Sequence, residues 1–364
     1  MYRARPALRW RLVGGRGYLD AVVSITLLTV KPENRRKLLV VVRVAVSAAL
    51  LGYVLLKADL PSFLARWPGI SQPLLALALL LQLAGVFISS LKWWLLLRAA
   101  EQPVPYLWTV RTYLVGQFFS NFLPTSIGGD AVRVFRLNQR VGRLGLAIAS
   151  VFVERITGFL ALTIIGWIAL GLNFDRFGDN WQLRWAMIWV LLAASGGLLL
   201  ALSAPWTVGM LSRLPLPNVI DWRGKLRSMA DALAQFYADR GTLALVVLLA
   251  FGYQISWIAV NIAAAQALIM DVPGSFIALM APISDIVGLI PIFFNNLGAR
   301  EGIYTLLLSL LGLPAAQALA LALLVFGARL LVSLLGGVVL LLESVIGARC
   351  GGQVAVEPSS TEQP

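Results

Sequence analysis

Long runs of apolar residues alternate with short polar and basic stretches along this chain. Six of the runs reach the length of about 20 residues that a helix needs to cross about 30 Å of hydrocarbon. They are residues 38–56, 74–97, 144–172, 186–204, 242–270 and 314–342. The pattern predicts an all-α polytopic membrane protein with about six full transmembrane helices.

Two further apolar regions are interrupted by residues that break helices. The first, residues 106–122, runs into the adjacent Gly128 and Gly129, and the second, residues 275–290, runs into Pro291. In a membrane, the backbone groups freed by such a break survive only where protein or water satisfies them. We therefore expect two broken or re-entrant hairpins in addition to the six spans.

Basic residues set the expected orientation. Residues 1–37 hold nine Lys or Arg against two acidic residues, so the positive-inside rule places the N-terminus in the cytoplasm. The stretches 57–73 and 173–184 are then external, with two Lys or Arg each. The stretches 98–143 and 207–241 are internal, with six and five. We expect a multi-pass protein of the inner or plasma membrane.

This topology divides a transmembrane domain, residues 38–345, into two halves. Residues 38–172 and 186–342 would each contain two spans, a hairpin and a third span, in opposite orientations. An odd number of spans per half is what an inverted repeat requires. Residues 152–155 and 326–329 match at their Phe and Arg, which is a weak additional sign of a repeat.

Three stretches are predicted to lie outside the bilayer core. Residues 1–37 form a basic cytoplasmic tail or an incorrectly assigned start. Residues 221–240 place apolar side chains on one helical face, which is typical of an interfacial helix linking the two halves. The polar residues 346–364 are expected to form a disordered cytoplasmic tail.

Composition narrows the possible chemistry. Hydrophobic residues make up 59% of the chain and charged residues 13%, against about 25% charged in soluble domains. The chain has no histidine and one cysteine, Cys350, which argues against histidine bases, Ser-His-Asp triads and intramolecular disulfides. We expect no metal and no cofactor. The net charge is +13, but the basic residues do not alternate with aromatic residues as they do in proteins that stack on bases. Binding to anionic lipid therefore explains the positive charge better than binding to nucleic acid.

The first break gathers polar residues beside exposed backbone groups, as an anion or headgroup site requires. These residues are Asn121, Ser126, Gly128, Gly129, Asp130 and Arg133. A cytoplasmic turn explains the same pattern, with Asp130 as an N-cap and Arg133 extending to lipid phosphates. Both interpretations stay open at this point.

The second break carries Asn296, Arg300 and Glu301 between apolar half-helices. An isolated charge at mid-bilayer costs about 2.5–3.5 kcal/mol on insertion scales, so these charges should be paired or hydrated. Structural pairing and a substrate site are both compatible with that requirement.

Other charges lie within the spans themselves. Adjacent helical residues point about 100° apart, so Glu154 and Arg155 cannot pair closely with each other. We expect each to find a partner on another helix. The candidates are Asp285, Arg300, Glu301 and Arg329. Lys92 is expected to extend toward the inner membrane surface, and Gln254 and Asn261 to bond neighbouring helices.

These residues resemble a known family. The motif G-x-F-F-S-N-F-L-P-T-S-I-G-G-D-x-x-R at 116–133 is followed by S-V-F-V-E-R at 150–155 and G-A-R-E-G at 298–302. Together they resemble the lysylphosphatidylglycerol synthase transmembrane family of flippase-like proteins, over roughly residues 38–345. The resemblance implies a bundle with re-entrant segments, which in the bifunctional synthases moves an aminoacylated phospholipid between leaflets.

The resemblance also implies which residues matter. By match to the motifs they are Asp130, Arg133, Glu154, Arg155, Arg300 and Glu301. Those synthases also carry a soluble aminoacyltransferase domain, which no segment of this sequence resembles. We therefore expect a stand-alone member without lysyl transfer.

Three functions remain in consideration. The first is a lipid translocator, a transporter rather than an enzyme, that binds an anionic or zwitterionic headgroup among the charges named above. The second is a non-catalytic scaffold for envelope-biosynthesis enzymes, and the third an intramembrane transferase with Asp130 or Glu301 as base. The sequence contains no G-x-x-x-x-G-K-[ST] motif, so transport would be downhill or ion-coupled.

Overall fold

A computed structural model of the chain describes residues 69–122, 128–211, 222–290, 296 and 298–351. These ranges contain eleven α-helices and no strand. Five of the helices are long and apolar enough to cross a membrane. The expected all-α polytopic membrane fold is thus confirmed, with five of the six predicted spans present. The other predicted span, 38–56, and the tail 1–37 lie outside the described residues, as do residues 352–364.

The helices are numbered in chain order. They are α1 (Gln72–Ala99), α2 (Tyr106–Phe122), α3 (Gly128–Val141), α4 (Leu144–Leu172), α5 (Trp181–Leu202), α6 (Ala204–Leu211), α7 (Trp222–Ala238), α8 (Arg240–Ala267), α9 (Gly274–Gly288), α10 (Ala299–Ser309) and α11 (Ala315–Gly351). The five spans are α1, α4, α5, α8 and the segment Ala315–Glu343 of α11.

The helix pair α1 and α8 makes the most extensive contact among the described helices. Both are 28 residues long. Gly85 of α1 lies against the ring of Tyr253 on α8, and a Cβ at Gly85 would come within 3.3 Å of that ring. A small residue on one helix thus makes room for an aromatic ring on the other, which is typical of packing between membrane helices.

The helices α2 and α3 flank the first predicted break, and they approach each other through glycine. A Cβ on Gly129 would overlap the Ser120 hydroxyl and the Gly116 carbonyl oxygen. The helix α2 also packs on α11, where a Cβ on Gly336 would overlap the Leu114 carbonyl oxygen. Backbone contacts on both sides therefore fix the position of α2.

The helices α9 and α10 flank the second predicted break. They have 15 and 11 residues, fewer than the roughly 20 that a full span needs. The helix α9 packs on α4, just as α2 packs on α11. The helix α10 packs on α11, as α3 packs on α4.

Apolar side chains form two separate cores toward opposite ends of α4. One core joins the end of α1, the start of α4 and the helix α7, and it includes Trp93, Leu146 and Leu233. The other joins the end of α4 to α5, α8, α9, α10 and α11, and it includes Leu170 and Phe276. Between the two cores lies the part of α4 that carries its charged residues.

The helix α7 lies across the start of α4. Its Phe236 is buried whereas Arg227 is exposed, so it is amphipathic in the structure. One residue separates it from α8: Asp239, whose Oδ1 accepts a hydrogen bond from the Thr242 N–H at 3.0 Å. This bond caps α8 and holds the pKa of Asp239 below its usual range.

Candidate functional site

Charged residues from α1, α3 and α4 meet around Glu154. The Glu154 carboxylate accepts from Arg133 Nη1 at 3.1 Å through one oxygen and from Lys92 Nζ at 3.3 Å through the other. All three side chains are buried. Lys92 Nζ also donates to the Glu154 backbone carbonyl at 3.3 Å. Lys92 therefore belongs to the buried network. The sequence-based expectation that it extends to the inner membrane surface is wrong.

The Arg133 guanidinium is held between two aromatic rings. Its Cζ lies 4.5 Å from the ring centroid of Trp93 and 4.4 Å from that of Tyr113. Both distances allow cation–π attraction, which is stronger where water is excluded. Arg133 also approaches Asp130, with 3.4 Å between Nη1 and Oδ1. Arg133 is thus a fixed part of the protein interior, not a cation extending to the headgroup region.

Arg155 and Asp130 form a second pair beside this network. Arg155 Nε lies 2.9 Å from Asp130 Oδ2, and Arg155 Nη2 lies 3.0 Å from Oδ1, which is a two-pronged ion pair. The Arg155 side chain is 55% exposed, against 19% for Asp130. Since Arg155 lies well inside a spanning helix, its exposed guanidinium is the cation of this group that a ligand could reach.

The Glu154 and Arg155 pairings differ in one respect from the sequence-based expectation. Each does find partners on other helices, but the partners come from α1 and α3. None of Asp285, Arg300, Glu301 and Arg329 makes an ion pair with Glu154 or Arg155 within the described ranges. Lys92 and Arg133 pair with Glu154, and Asp130 pairs with Arg155, so no contribution from the second break is needed.

A second group of charges surrounds α9 and α10. Arg300 is 1% exposed, and its three side-chain nitrogens have no hydrogen-bond partner among the described residues. Asp285 of α9 lies within electrostatic reach of Arg300 and of Arg329 on α11. Aromatic rings lie nearby, with Phe326 5.9 Å from Arg300 and Trp257 6.0 Å from Arg329. This group holds its cations less tightly than the first.

Glu301 and Asn296 have local roles at the start of α10. Glu301 Oε2 accepts from the Gly298 N–H at 2.6 Å, so this carboxylate caps the helix. Asn296 adopts a positive φ of 62°, and its side chain lies against Gly288. The carboxylate of Glu301 therefore serves the backbone, and no ion pair joins it to Arg300 among the described residues.

The remaining predicted site residues are placed as follows. Asn121, Gly128 and Gly129 are buried where α2 meets α3. Ser126 lies outside the described residues. Asp130, Arg133, Glu154 and Arg155 form one group with Lys92, whereas Asp285, Arg300 and Arg329 form another.

Tyr253 on α8 interacts with members of both groups. Its hydroxyl is within electrostatic reach of Arg155 and Glu154 of the first group and of Arg329 and Asp285 of the second. Sequence reasoning missed Tyr253 and gave Lys92 the wrong surroundings. For Lys92 a signal existed, because it directly precedes the two tryptophans Trp93 and Trp94 inside an apolar run.

Polar residues of α8 bond neighbouring helices as expected. Gln254 Nε2 donates to the Gly158 carbonyl of α4 at 3.3 Å. Tyr304 of α10 donates its hydroxyl to Asn261 Oδ1 at 2.5 Å. Within the part of the chain that the structure describes, no three potential metal ligands of the His, Cys, Asp and Glu types come together.

Comparison with known proteins places this arrangement in a family. No curated protein matches the chain. Residues 40–337 match the family described as the lysylphosphatidylglycerol synthase TM region. The matched stretch includes both groups of charged residues and all five described spans up to residue 337. The chain therefore belongs to the lysylphosphatidylglycerol synthase TM region family and is a multi-pass membrane protein with a place in lipid metabolism.

Proposed function

We propose that the protein translocates a lipid with an anionic or zwitterionic headgroup between the leaflets of the inner or plasma membrane. The observation that carries this proposal is the Arg155–Asp130 pair, in which an exposed guanidinium is held within a spanning helix. A charge at that depth is costly unless it serves a polar ligand or a hydrated cavity. The family's relation to a lipid synthase supports a lipid as that ligand.

The chemistry of Arg155 suits a lipid phosphate. A guanidinium presents a planar set of donors that binds two phosphate oxygens at once. Asp130 accepts hydrogen bonds from Nε and Nη2 at 2.9 and 3.0 Å, which fixes one edge of the guanidinium. The donors left for phosphate oxygens are Nη1 and the second N–H of Nη2, and little side-chain freedom is lost when they bind. A headgroup amine could contact Asp130 at the same time. The pair thus offers both signs of charge to a zwitterionic headgroup.

A route across the membrane follows from the second group of charges. Tyr253 is within electrostatic reach of both Arg155 and Arg329, which supports a path that links the two groups. We propose that a headgroup passes from Arg155 toward Arg329 and Arg300. The stretches 123–130 and 291–301 would then be the tips of two re-entrant hairpins that meet near the bilayer centre.

Helix contacts support an inverted repeat behind this route. The helix α2 packs on α11 while α9 packs on α4, and α1 packs on α8. Each is the contact expected if α1 to α4 and α8 to α11 are two copies related by a twofold axis in the membrane plane. Relative movement of the two copies would open the central charges to one leaflet and then to the other.

Transport assays in liposomes test this proposal. We expect purified protein to move fluorescent phosphatidylglycerol between leaflets, measured by dithionite quenching, with phosphatidylethanolamine and phosphatidylcholine tested beside it. The variant Arg155→Gln should lose at least about tenfold in rate, since one charge-assisted contact contributes about 1.5–3 kcal/mol. Arg98→Gln, at the end of α1 and outside both charged groups, is the matched control.

A scaffold in an envelope-biosynthesis complex is the second candidate. It is favoured by the first charged group, in which Glu154 is fully engaged by protein cations. Such a set can hold α1, α3 and α4 together without any ligand. Folded protein that moves none of the three lipids would favour the scaffold over the translocator.

A further inference from the structure

The buried charges around Glu154 do not balance. Lys92, Arg133 and Glu154 are all buried, and they carry two positive charges and one negative charge when fully ionised. Asp130 and Arg155 next to them pair with each other and cancel. Among the described residues around Glu154, one positive charge is therefore left over. Because an uncompensated buried charge is far more costly than a neutral group, one cation should give up its charge or receive an anion.

The geometry identifies Lys92 as that cation. Arg133 cannot lose its proton in a protein, and two aromatic rings and two carboxylates surround it. Among the described residues, Lys92 Nζ contacts one carboxylate oxygen and one backbone carbonyl, both at 3.3 Å. Charge-assisted N–H···O bonds usually measure about 2.7–2.9 Å. Lys92 is thus the one of the two buried cations that can become neutral, and its contacts are longer than usual.

Charged and titratable groups from six helices interact with Lys92 or with its neighbours among the described residues. They are Glu154 and Arg155 from α4, Arg133 and Asp130 from α3, Tyr113 from α2, Tyr253 from α8 and, through Tyr253, Asp285 of α9 and Arg329 of α11. Glu154 favours a charge on Lys92, whereas Arg133 and, to a smaller extent, Arg155 oppose it. A phosphate bound at Arg155 would add a negative charge near Lys92 and so favour its protonation.

We infer that Lys92 is a proton carrier: its amine is neutral in the empty protein and takes up one proton when an anionic headgroup binds at Arg155. This inference rests on the proposed function. It identifies the proton as the ion whose movement would be coupled to lipid transport. The proton comes from water and forms a bond with the Nζ lone pair, giving an ammonium beside Glu154. When the lipid leaves, the ammonium returns the proton to water on the side to which the site is then open.

Proton uptake on binding tests the inference. Dihexanoyl phosphatidylglycerol is titrated into purified protein in weakly buffered detergent at several pH values between about 6 and 9, and the protons taken up are measured. We expect wild-type protein to take up about one proton per bound lipid at some pH in this window. Lys92→Met should bind the lipid without proton uptake, and Arg98→Gln should behave as wild type.

The outcomes separate this inference from the proposed function. Lipid binding without proton uptake in wild type, or uptake that persists in Lys92→Met, overturns the proton carrier and leaves translocation standing. Failure of wild type to bind the anionic lipid overturns both. If Lys92→Met does not fold, Lys92→Gln replaces it, because an amide can still donate to Glu154 and cannot take up a proton.

A pH gradient across liposomes gives a second measurement. Wild-type movement of labelled phosphatidylglycerol should accelerate toward the alkaline side when the opposite side is acidified. Lys92→Gln should lose the acceleration that the gradient causes, whereas Arg98→Gln should keep it. Equal acceleration in wild type and Lys92→Gln would overturn the role of Lys92.

Discussion

Glu154 and Arg155 are neighbours in the chain, yet their charged groups have separate partners. Glu154 turns into the protein toward Lys92 and Arg133, whereas Arg155 pairs with Asp130 and stays exposed. The rotation of about 100° per helical residue makes this division possible. The same two-residue unit therefore has a buried half that fixes helices in place and an accessible half that can meet a ligand.

The division predicts different effects of two substitutions. Glu154→Gln leaves Arg133 and Lys92 buried with weaker compensation, and we expect it to lower the free energy of unfolding by about 3–5 kcal/mol. Arg155→Gln removes an exposed cation and should change the stability by about 1 kcal/mol or less. Thermal unfolding in detergent, followed by tryptophan fluorescence, compares both variants with wild type. Equal stability of the two variants would contradict the division.

Close packing of α2 on α11 gives a second prediction. A Cβ at Gly336 would overlap the Leu114 carbonyl oxygen, whereas Gly327 on the same helix has open space around it. Gly336→Ala should therefore destabilise the protein by about 1–3 kcal/mol through overpacking. Gly327→Ala should be neutral or stabilising by up to about 1 kcal/mol. Thermal unfolding of both variants measures the difference, and loss of stability only in Gly327→Ala would refute this packing.

A third prediction concerns the hydrogen bond between Tyr304 and Asn261. Tyr304→Phe removes the donor and leaves Asn261 Oδ1 buried without it, which should cost about 1–3 kcal/mol. The control is Tyr106→Phe, because the Tyr106 hydroxyl bonds the Phe87 carbonyl at an exposed position. Unfolding in detergent should show a clear loss for Tyr304→Phe and little change for the control. The reverse order would mean that the bond does not form in the protein.

Crosslinking tests whether the two breaks meet. Cysteines replacing Ser126 and Asn296, in a background without Cys350, should crosslink with a short bifunctional maleimide if both tips lie near the bilayer centre. The matched pair is Ser126→Cys with Asp179→Cys, which places the second cysteine in the connection between α4 and α5. Crosslinking of the control pair alone would place the tips at opposite membrane surfaces.

Membrane sidedness is also open to measurement. We expect the α4–α5 connection to be external and α7 to be cytoplasmic, because the basic residues concentrate on the α7 side. A membrane-impermeant maleimide should label Asp179→Cys in intact cells and Asp231→Cys only after permeabilisation. Both positions are exposed in the structure. The opposite labelling pattern would invert the proposed orientation.

Much of the fold follows from the sequence because the membrane allows few solutions. Apolar length alone predicts five described spans, and the glycine pair at Gly128 and the proline at Pro291 fall between α2 and the body of α3 and between α9 and α10. The helix α7 is predicted by the helical spacing of its apolar residues, which places them on one face. None of these predictions depends on which helices contact each other.

Partner choice could not be predicted in the same way. Glu154 could pair with any cation at its depth, and the sequence gives no distance between α1 and α4. The contact with Lys92 depends on the packing of those helices, including the small residue Gly158, whose Cβ position would lie 3.6 Å from Lys92 Nζ. The exposure of Arg155 likewise depends on a space between helices, which no single stretch of sequence encodes.

The length of α11 has a mechanical consequence. Its 37 residues extend for about 55 Å, whereas the hydrocarbon core is only about 30 Å thick. Eight residues follow Glu343, where Arg136 of α3 forms an ion pair with the helix, and they carry Gly351 about 12 Å farther. Because the helix continues beyond this ion pair, a small tilt of α3 would move its end over a larger distance outside the bilayer. A fluorophore attached at Cys350 would therefore magnify motions of the hairpin that are too small to see at its tip.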